Sequence, residues 1–482
     1  MNSAGTRLAL LAGACLALSP GPALADSLQD ALLGAYRSNP ILQAARANQR
    51  AIDENVPINR SDGLPSVSGT ATYVEQLKDA TPDTADLFPD RELSASVTLA
   101  VPIYSGGSVR NAVQAAKTRV SAGQADLRAV ESSIFSQVVA AYMDVILNEA
   151  IVGLSANNVD VLTVNLEATS DRFEIGDLTR TDVAQSEARL ALARGDLRTA
   201  RANLIEARER YIRLVGDVPD DLQPPPPLPG LPQSVEEAVA IALESNPDLI
   251  AAREEAKASE FDIEVAGSTR LPRVEVFTGG TYNDTFSSNP GVGPPYNTTA
   301  ATAGVRATIP IFQGGLPAAL ERQAQARAAT AMEQEIGAER AVIAQVRAAY
   351  SSREAALSII DSTQAAVEAA ELSLEGVRAE NTVGNRTILD ILDAEQELLR
   401  ARVQLVTARR NAYVAGFSLL AAMGRAEARD LGLGEAGPLY DPQVNYERVK
   451  GKFFDWSFDP DPVPQSTRTV DTPAQTGEAA DE

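Results

Sequence analysis

The sequence predicts a mainly α-helical chain, duplicated within itself, that also carries pairs of membrane-type β-strands. Three observations lead there. Two long stretches, 103–218 and 318–437, contain no proline and are rich in Ala, Leu, Glu, Arg and Gln, which are good helix formers. A series of segments recurs once, in the same order, 207–208 positions further on. Short runs with a period of two stand ahead of each proline-free stretch.

At the N-terminus, Arg7 precedes an apolar stretch, LALLAGACLAL (8–18), and Ala23-Leu24-Ala25 offers a cleavage site before Asp26. This pattern reads as a signal peptide over 1–25, and its apolar run is too short to span a bilayer as a helix. A second reading is lipoprotein processing at Cys15, because Ala12-Gly13-Ala14-Cys15 loosely resembles a lipobox. Cleavage after Ala25 would leave a mature chain without cysteine and therefore without disulfides.

Composition excludes several function classes. The 482 residues include no histidine, which removes Ser-His-Asp and Cys-His catalysis and every His-based zinc or iron site. No metal or other cofactor is expected. The net charge of −23 and the lack of a basic cluster argue against nucleic-acid binding. No run of 18 or more apolar residues follows the leader, so no transmembrane helix is expected and a membrane role would need strands.

The repeated segments define the organisation. SLQDALLGAYRSNPILQAAR (27–46) matches SVEEAVAIALESNPDLIAAR (234–253), and Leu64-Pro65 matches Leu271-Pro272. VPIYSGG (101–107) matches IPIFQGG (309–315), QVVAAY (137–142) matches QVRAAY (345–350), and Val215-Gly216 matches Met423-Gly424. The unit is far longer than the roughly 20–50 residues of a solenoid repeat. We therefore expect a first structural repeat over 26–222 and a second over 234–436. QPPPPLPGLPQ (223–233) would be a stiff, extended linker between them. A C-terminal segment, 437–482, would be disordered after about residue 460.

Each repeat opens with a short helix (28–38, 235–245) closed by Ser-Asn-Pro. Asn39 and Asn246 suit N-caps, and Pro40 and Pro247 suit the first position of the next helix, which runs towards the Leu-Pro pair. In ELSASVTLAV (92–101) and ATAGVRATI (301–309), apolar positions alternate with small or polar ones. Their length is near the ~10 residues of a tilted membrane strand, although a half-buried hairpin in a soluble sheet has the same period. SVSGTATYV (66–74) and RVEVFTGGTY (273–282) are the weaker partner segments. Gly106-Gly107 and Gly314-Gly315 let the chain leave the strands, with Pro317 in the first turn beyond.

The helices that follow are long. One helix over 109–173 would span on the order of 100 Å, too wide for a globular domain of this mass. Abundant alanine allows neighbours on both sides, so a sheet of helices or a helical barrel is expected. Near the middle of each stretch stands a repeated turn, IGDLTRTDVAQSEA (175–188) and VGNRTILDILDAEQ (383–396). Gly176 and Gly384 can adopt the left-handed conformation that ends one helix. Thr179 with Asp182, and Thr387 with Asp390, each read as a capping box that starts the next. Capping leaves Arg386 and Asp393 unexplained. Their counterparts are Leu178 and Gln185, and Asp393 shares a helix face with Asp390. A solvated acidic surface would account for the two acids equally well.

The segment VGNRTILDILDAEQELLRARVQLVTARRNAYVAG resembles the hairpin-tip segment of the TolC family of outer-membrane efflux and secretion channels. The duplication, the paired Pro-hydrophobic-x-Gly-Gly motifs, the leader and the strand pairs also fit that family, over about residues 27–456. The resemblance implies a homotrimer. Each chain would give four strands to a 12-stranded β-barrel in outer-membrane lipid and would continue it as a long α-helical barrel across the periplasm. A separate argument also requires oligomerisation, since four strands cannot close a barrel and open edges are not tolerated in lipid.

By resemblance, the channel would be the exit duct of a tripartite efflux pump or a type I secretion system. Its partners would be a periplasmic adaptor (membrane fusion) protein and an inner-membrane ABC or RND-type transporter. Arg386 takes the place of the family's gate arginine and Asp182 that of its acidic partner, forming a latch at the periplasmic tip. Asp390 and Asp393 fall on the constriction aspartates. One departure is Asn381, which stands where a tyrosine commonly joins the gate network. The alternative is a periplasmic adaptor or another soluble coiled-coil protein, which would show one hairpin flanked by lipoyl-like halves. An enzyme has almost no support: without histidine or mature cysteine only scattered carboxylates could act, none beside a recognisable pocket motif, and the Gly-Gly pairs lack the Lys-Ser/Thr of a phosphate loop.

Overall fold

The computed structural model describes residues 27–77, 91–286 and 296–478; the expected signal peptide and Cys15 lie outside them. The chain is mostly helical. Its elements come twice in one order: short helices, a strand pair, then a long helix and a shorter one. The first half contains α1 (Leu28–Ser38), α2 (Pro40–Asp53), α3 (Asn55–Ser61), β1 (Ser66–Glu75), β2 (Arg91–Tyr104), α4 (Ser108–Glu174) and α5 (Arg180–Val215). The second contains α6 (Val235–Ser245), α7 (Pro247–Gly267), β3 (Arg273–Thr285), β4 (Asn297–Thr308), α8 (Leu316–Thr382) and α9 (Ile388–Ala422). A last helix, α10 (Pro442–Val449), follows.

One difference between the halves has a local cause. Where α7 is continuous, the first half is interrupted at Glu54 between α2 and α3. Pro57 has no N–H to donate to the Asp53 carbonyl four residues back, so the helix restarts there.

The Ser-Asn-Pro junctions do more than cap. The Asn39 side-chain oxygen accepts from Ile41 N and Leu42 N, while its Nδ2 donates to Leu214 O, 2.9 Å away at the end of α5. Asn246 accepts from Leu249 N and donates to Ala422 O at the end of α9, also at 2.9 Å. Each asparagine thus satisfies a carbonyl that its neighbour's last helical turn leaves orphaned. The result is end-to-end stacking, with α2–α3 continuing α5 and α7 continuing α9. The approach is close enough to require glycine. A Cβ on Gly424, at φ +72°, would sit 2.4 Å from Ser245 O. With α4 and α8, each of 67 residues, these composite helices form a four-helix layer in which α4 and α9 are the inner members near the tips.

The main core lies at the level of those junctions, around Phe135, Tyr142, Tyr211 and Phe417. It explains one departure from expectation. Helix α4 does contain an 18-residue window apolar enough to cross a membrane, with mean hydropathy 1.5. That window is 44% buried in the chain, and α4 supplies Ile134, Phe135, Val138, Val139 and Val145 to the protein core. The linker 223–233 also packs here. Tyr142 Oη donates to Gln223 O (2.6 Å), Tyr413 Oη to Pro226 O (3.2 Å) and Tyr350 Oη to Gln233 O (2.9 Å). Tyr142 and Tyr350, the matched tyrosines of QVVAAY and QVRAAY, therefore hold its two ends. Burial pushes the Tyr413 phenol up to about 12.

The four strands form one antiparallel sheet in the order β1-β2-β3-β4. Register decides its faces. Pairing Val67 with Leu99, Leu99 with Thr278 and Thr278 with Ala303 puts Val67, Tyr73, Leu93, Val97, Leu99, Val276 and Val305 on one side. Ser68, Thr70, Ser96, Thr98, Thr281 and Thr302 share the other, with an ion pair from Arg306 to Glu275 at 2.8 Å. Nothing in the described chain covers the apolar side; Val67, Val97 and Val305 are all exposed. The Gly-Gly pairs lie at the strand-to-helix exits, with φ +65° and +85° at Gly106 and Gly107, and +61° and +85° at Gly314 and Gly315.

Disorder is expected after about residue 460. Residues 460–478 form no helix or strand, but they lie against α5, where Arg208 Nη1 donates to Thr476 O at 2.8 Å.

Candidate functional site at the hairpin tips

Both tips are built by consecutive residues. Phe173 O accepts from Gly176 N (2.9 Å) and Arg172 O from Asp177 N (2.8 Å), and Gly176 has φ +82°. In the second tip Asn381 O accepts from Gly384 N and Glu380 O from Asn385 N, both at 3.0 Å, with φ +79° at Gly384. Space is open around both glycines, so backbone conformation rather than crowding demands them.

The capping boxes close the next helix. Asp182 Oδ2 accepts from Thr179 N (2.8 Å) and Thr179 Oγ1 (2.7 Å), and Asp182 N donates to Thr179 Oγ1 (3.4 Å). Asp390 and Thr387 repeat this at 2.8, 2.8 and 3.3 Å.

Those bonds favour the ionised carboxylates. The Thr179 hydroxyl and N–H hold Asp182 below its ordinary value, and those of Thr387 do the same for Asp390, with a smaller contribution from Arg386. A depressed carboxylate pKa contributes stability that is fully present above the ordinary value of 3.8 and is lost as pH falls through the folded value. Both turns should therefore loosen on acidification below about pH 4. Hydrogen exchange across 175–183 and 383–391 measures this. Fast exchange should appear there before the core opens, and Asp182→Asn should abolish the pH dependence of the first tip.

Arg386 turns back on its own hairpin. Its Nε donates to Glu380 Oε2 at 2.7 Å and its Nη1 stands 3.7 Å from Asp390 Oδ1. Glu380 raises the arginine's pKa further. Within one chain, then, Arg386 and Asp182 do not pair, and both capping bonds to Asp182 use Oδ2. Sequence reasoning missed Glu380. Glu380 aligns with Arg172, which binds Asp177 at 2.7 Å across the first turn, so the two tips carry ion pairs of opposite polarity. Asn381 keeps a role in the turn: its Nδ2 donates to Arg386 O at 2.8 Å.

Asp390 and Asp393 do share a face of α9, but their partners differ. Asp393 Oδ1 accepts from Arg189 Nη2 of α5 at 2.6 Å, a contact between the two hairpins. Beneath it Leu392 packs among Leu162, Leu190 and Ala193, so the hairpins are joined by apolar contact just behind the tips. Neither Arg189 nor the ion pair of Arg378 with the buried Glu395 was singled out in the sequence, where each is one charge among many.

The arrangement is a pair of capped turns presenting arginines and acids, each turn crossed by an ion pair. Its hydroxyl–carboxylate contacts are those of the helix caps, and nothing in it resembles a catalytic constellation.

The family model described as outer membrane efflux protein matches residues 33–217 and 238–425. The chain is 34% identical over 435 residues to outer membrane efflux protein BepC of Brucella suis biovar 1 (strain 1330), covering 90% of this chain and 92% of that protein. It is 27% identical over 444 residues to outer membrane protein TolC of Escherichia coli (strain K12), covering 88% and 87%. The fold is similar to the crystal structure of the Campylobacter jejuni CmeC outer membrane channel, with a TM-score of 0.73 and 16% identity over 88% of this chain and 89% of that one.

Proposed function

The chain belongs to the outer membrane efflux protein family, and from that premise we propose that three copies form one continuous duct. The two halves, copies of one ancestral unit, each supply a strand pair and a helical hairpin. Twelve strands close a barrel in outer-membrane lipid, with the apolar sheet face outward and the Ser/Thr face lining the lumen. The helical layers close below it into a periplasmic tunnel. The duct is the exit of a tripartite efflux pump or a type I secretion system. It works when docked to a periplasmic adaptor and an inner-membrane ABC or RND-type transporter.

The observation that carries this reading is the four-stranded sheet, whose β1 and β4 edges are unpaired, and whose apolar face is uncovered, among the described residues. Unpaired backbone N–H and C=O groups are costly in lipid, so the edges must meet those of other chains. The helical layer has the same need. Its outer member α8 leaves Met332, Ile336, Leu357, Ile359 and Leu372 exposed, and α5 leaves Leu192 exposed.

At the tip, Arg386 of one subunit and Asp182 of its neighbour form the latch. Asp390 and Asp393 of three chains ring the axis as a cation-attracting constriction. Opening is a two-state rearrangement of the tips, biased by adaptor contacts.

Cysteines placed at Val67 on β1 and Val305 on β4, joined by a short bifunctional reagent in detergent, test the assembly. A covalent ladder ending at three chains is expected. Chains that stay single, or a ladder that runs past three, would reject the closed trimer.

A further inference from the structure

We propose that the aromatic segment Phe453–Phe458 anchors each subunit in the phospholipid leaflet that meets the barrel's periplasmic rim. This inference rests on the reading that the sheet spans the outer membrane, and it assigns a second, independent membrane contact.

The path of the C-terminal chain carries it. Gln443 Nε2 donates to Gln124 Oε1 at 2.9 Å. Further along α10, Tyr446 packs on Val56, Ala116 and Val120. Lys450 O then accepts from Arg60 Nη1 at 3.1 Å. The partners on α4 run back towards its N-terminus. Arg60 is one turn from Gly63, where an added Cβ would touch Val109 at 3.0 Å. Helix α10 therefore climbs beside α4 to the level where the strands begin. The chain then turns back. Arg448 donates from Nη1 and Nη2 to Asp459 at 2.7 and 2.8 Å, and Lys452 adds a contact at 3.3 Å. From there it descends past Gly216, where a Cβ would meet Thr467 Oγ1 at 2.7 Å, to Arg208 and Thr476.

The apex of this excursion, KFFDWSFD (452–459), is aromatic and uncovered. Phe453, Phe454, Trp456 and Phe458 are 66, 73, 86 and 78% exposed. They stack on one another, Phe453 on Phe454 at 4.4 Å and Trp456 edge-on to Phe458 at 6.2 Å. Four adjacent exposed aromatic rings would be a liability in water. At the end of a membrane-spanning sheet they stand where aromatic side chains partition well, at the boundary of hydrocarbon and headgroups. The basic side chains beside them are already neutralised, Arg448 and Lys452 by Asp459 and Lys450 by Glu447. Attraction to lipid therefore comes from the rings rather than from charge.

Trp456 is the chain's sole tryptophan, so its fluorescence reports on this segment alone. The full chain, inserted into phosphatidylcholine vesicles with its helical part facing the medium, should show Trp456 quenched by acyl chains brominated near the headgroup and shielded from aqueous iodide. Phe453→Ser/Phe454→Ser should lose the bromine quenching without loss of channel conductance. A Trp456 that iodide reaches and brominated lipid does not would overturn the anchor. So would a Trp456 shielded from both, which would place the rings against protein. Val97→Trp in a Trp456→Phe background separates the two claims. If deeply brominated lipid quenches this tryptophan but Trp456 stays unquenched, only the anchor fails; if it quenches neither, the membrane-spanning sheet fails as well.

Discussion

Replacing Arg386 by serine should raise the resting conductance of the reconstituted channel severalfold, with the fully open conductance unchanged. The structure sharpens the reason. Arg386 is held at its own turn by Glu380 at 2.7 Å and by the more distant Asp390, which keep a permanently charged, planar donor at the tip. Serine has neither the reach nor the charge to meet an acid on the next subunit. Glu380→Gln should raise resting conductance less, because it removes the positioning contact and leaves the arginine. Arg386 and Glu380 are both exposed, so the proposed latch would be open to screening. Resting conductance of the unaltered channel, corrected for bulk conductivity, should therefore climb with salt. Planar-bilayer recording checks each point, and a closed-state current that Arg386→Ser leaves unchanged would remove Arg386 from the gate.

The second large effect is on selectivity. Asp390→Asn/Asp393→Asn should bring the cation-to-anion permeability ratio close to unity and abolish block by divalent cations. Asparagine is preferable to alanine at 390, since its side-chain oxygen can still accept from Thr387 N and preserve the cap. The single changes should not be equal. Arg189 compensates Asp393 at 2.6 Å, whereas Asp390 has a cation no closer than 3.7 Å. Asp390→Asn should therefore cost more selectivity than Asp393→Asn, and Arg189→Gln should increase it. Reversal potentials in a salt gradient measure all four variants. Selectivity that survives the double change would mean that the ring lies elsewhere.

How much of this was legible in the sequence depends on how far apart the interacting residues stand. Gly176 with Thr179 and Asp182, and Gly384 with Thr387 and Asp390, interact within one or two turns, and each turn was readable from its own residues. The Ser-Asn-Pro caps were readable for the same reason, but their second function was not. Nothing near Asn39 or Asn246 indicates that their amides will meet Leu214 and Ala422, about 175 residues away. The strand segments were readable as two separate pairs. That all four belong to one barrel came only by resemblance, and the β2–β3 pairing that joins them was not readable, because the period of a strand records which faces it has and not which strand lies beside it.

The tip divides in the same way. Spacing put Asp393 on one face with Asp390 and resemblance alone put it in the constriction, yet its partner Arg189 lies on another hairpin, among many arginines with equal claim. Arg386 was found by resemblance, and its local partner Glu380 emerged only once the turn brought the two together.

The order of turns, caps, strands and long helices is thus written in the amino acids themselves, because each depends on the conformational preferences of a few consecutive residues and on the reach of a single side chain. The stacking of α7 on α9, the joining of four strands, the charge compensation of Asp393 and the return path of the C-terminal chain were decided by the tertiary structure alone. Each depends on helix lengths and strand register summed over tens to hundreds of residues, and a shift of one residue anywhere along that path changes which groups meet.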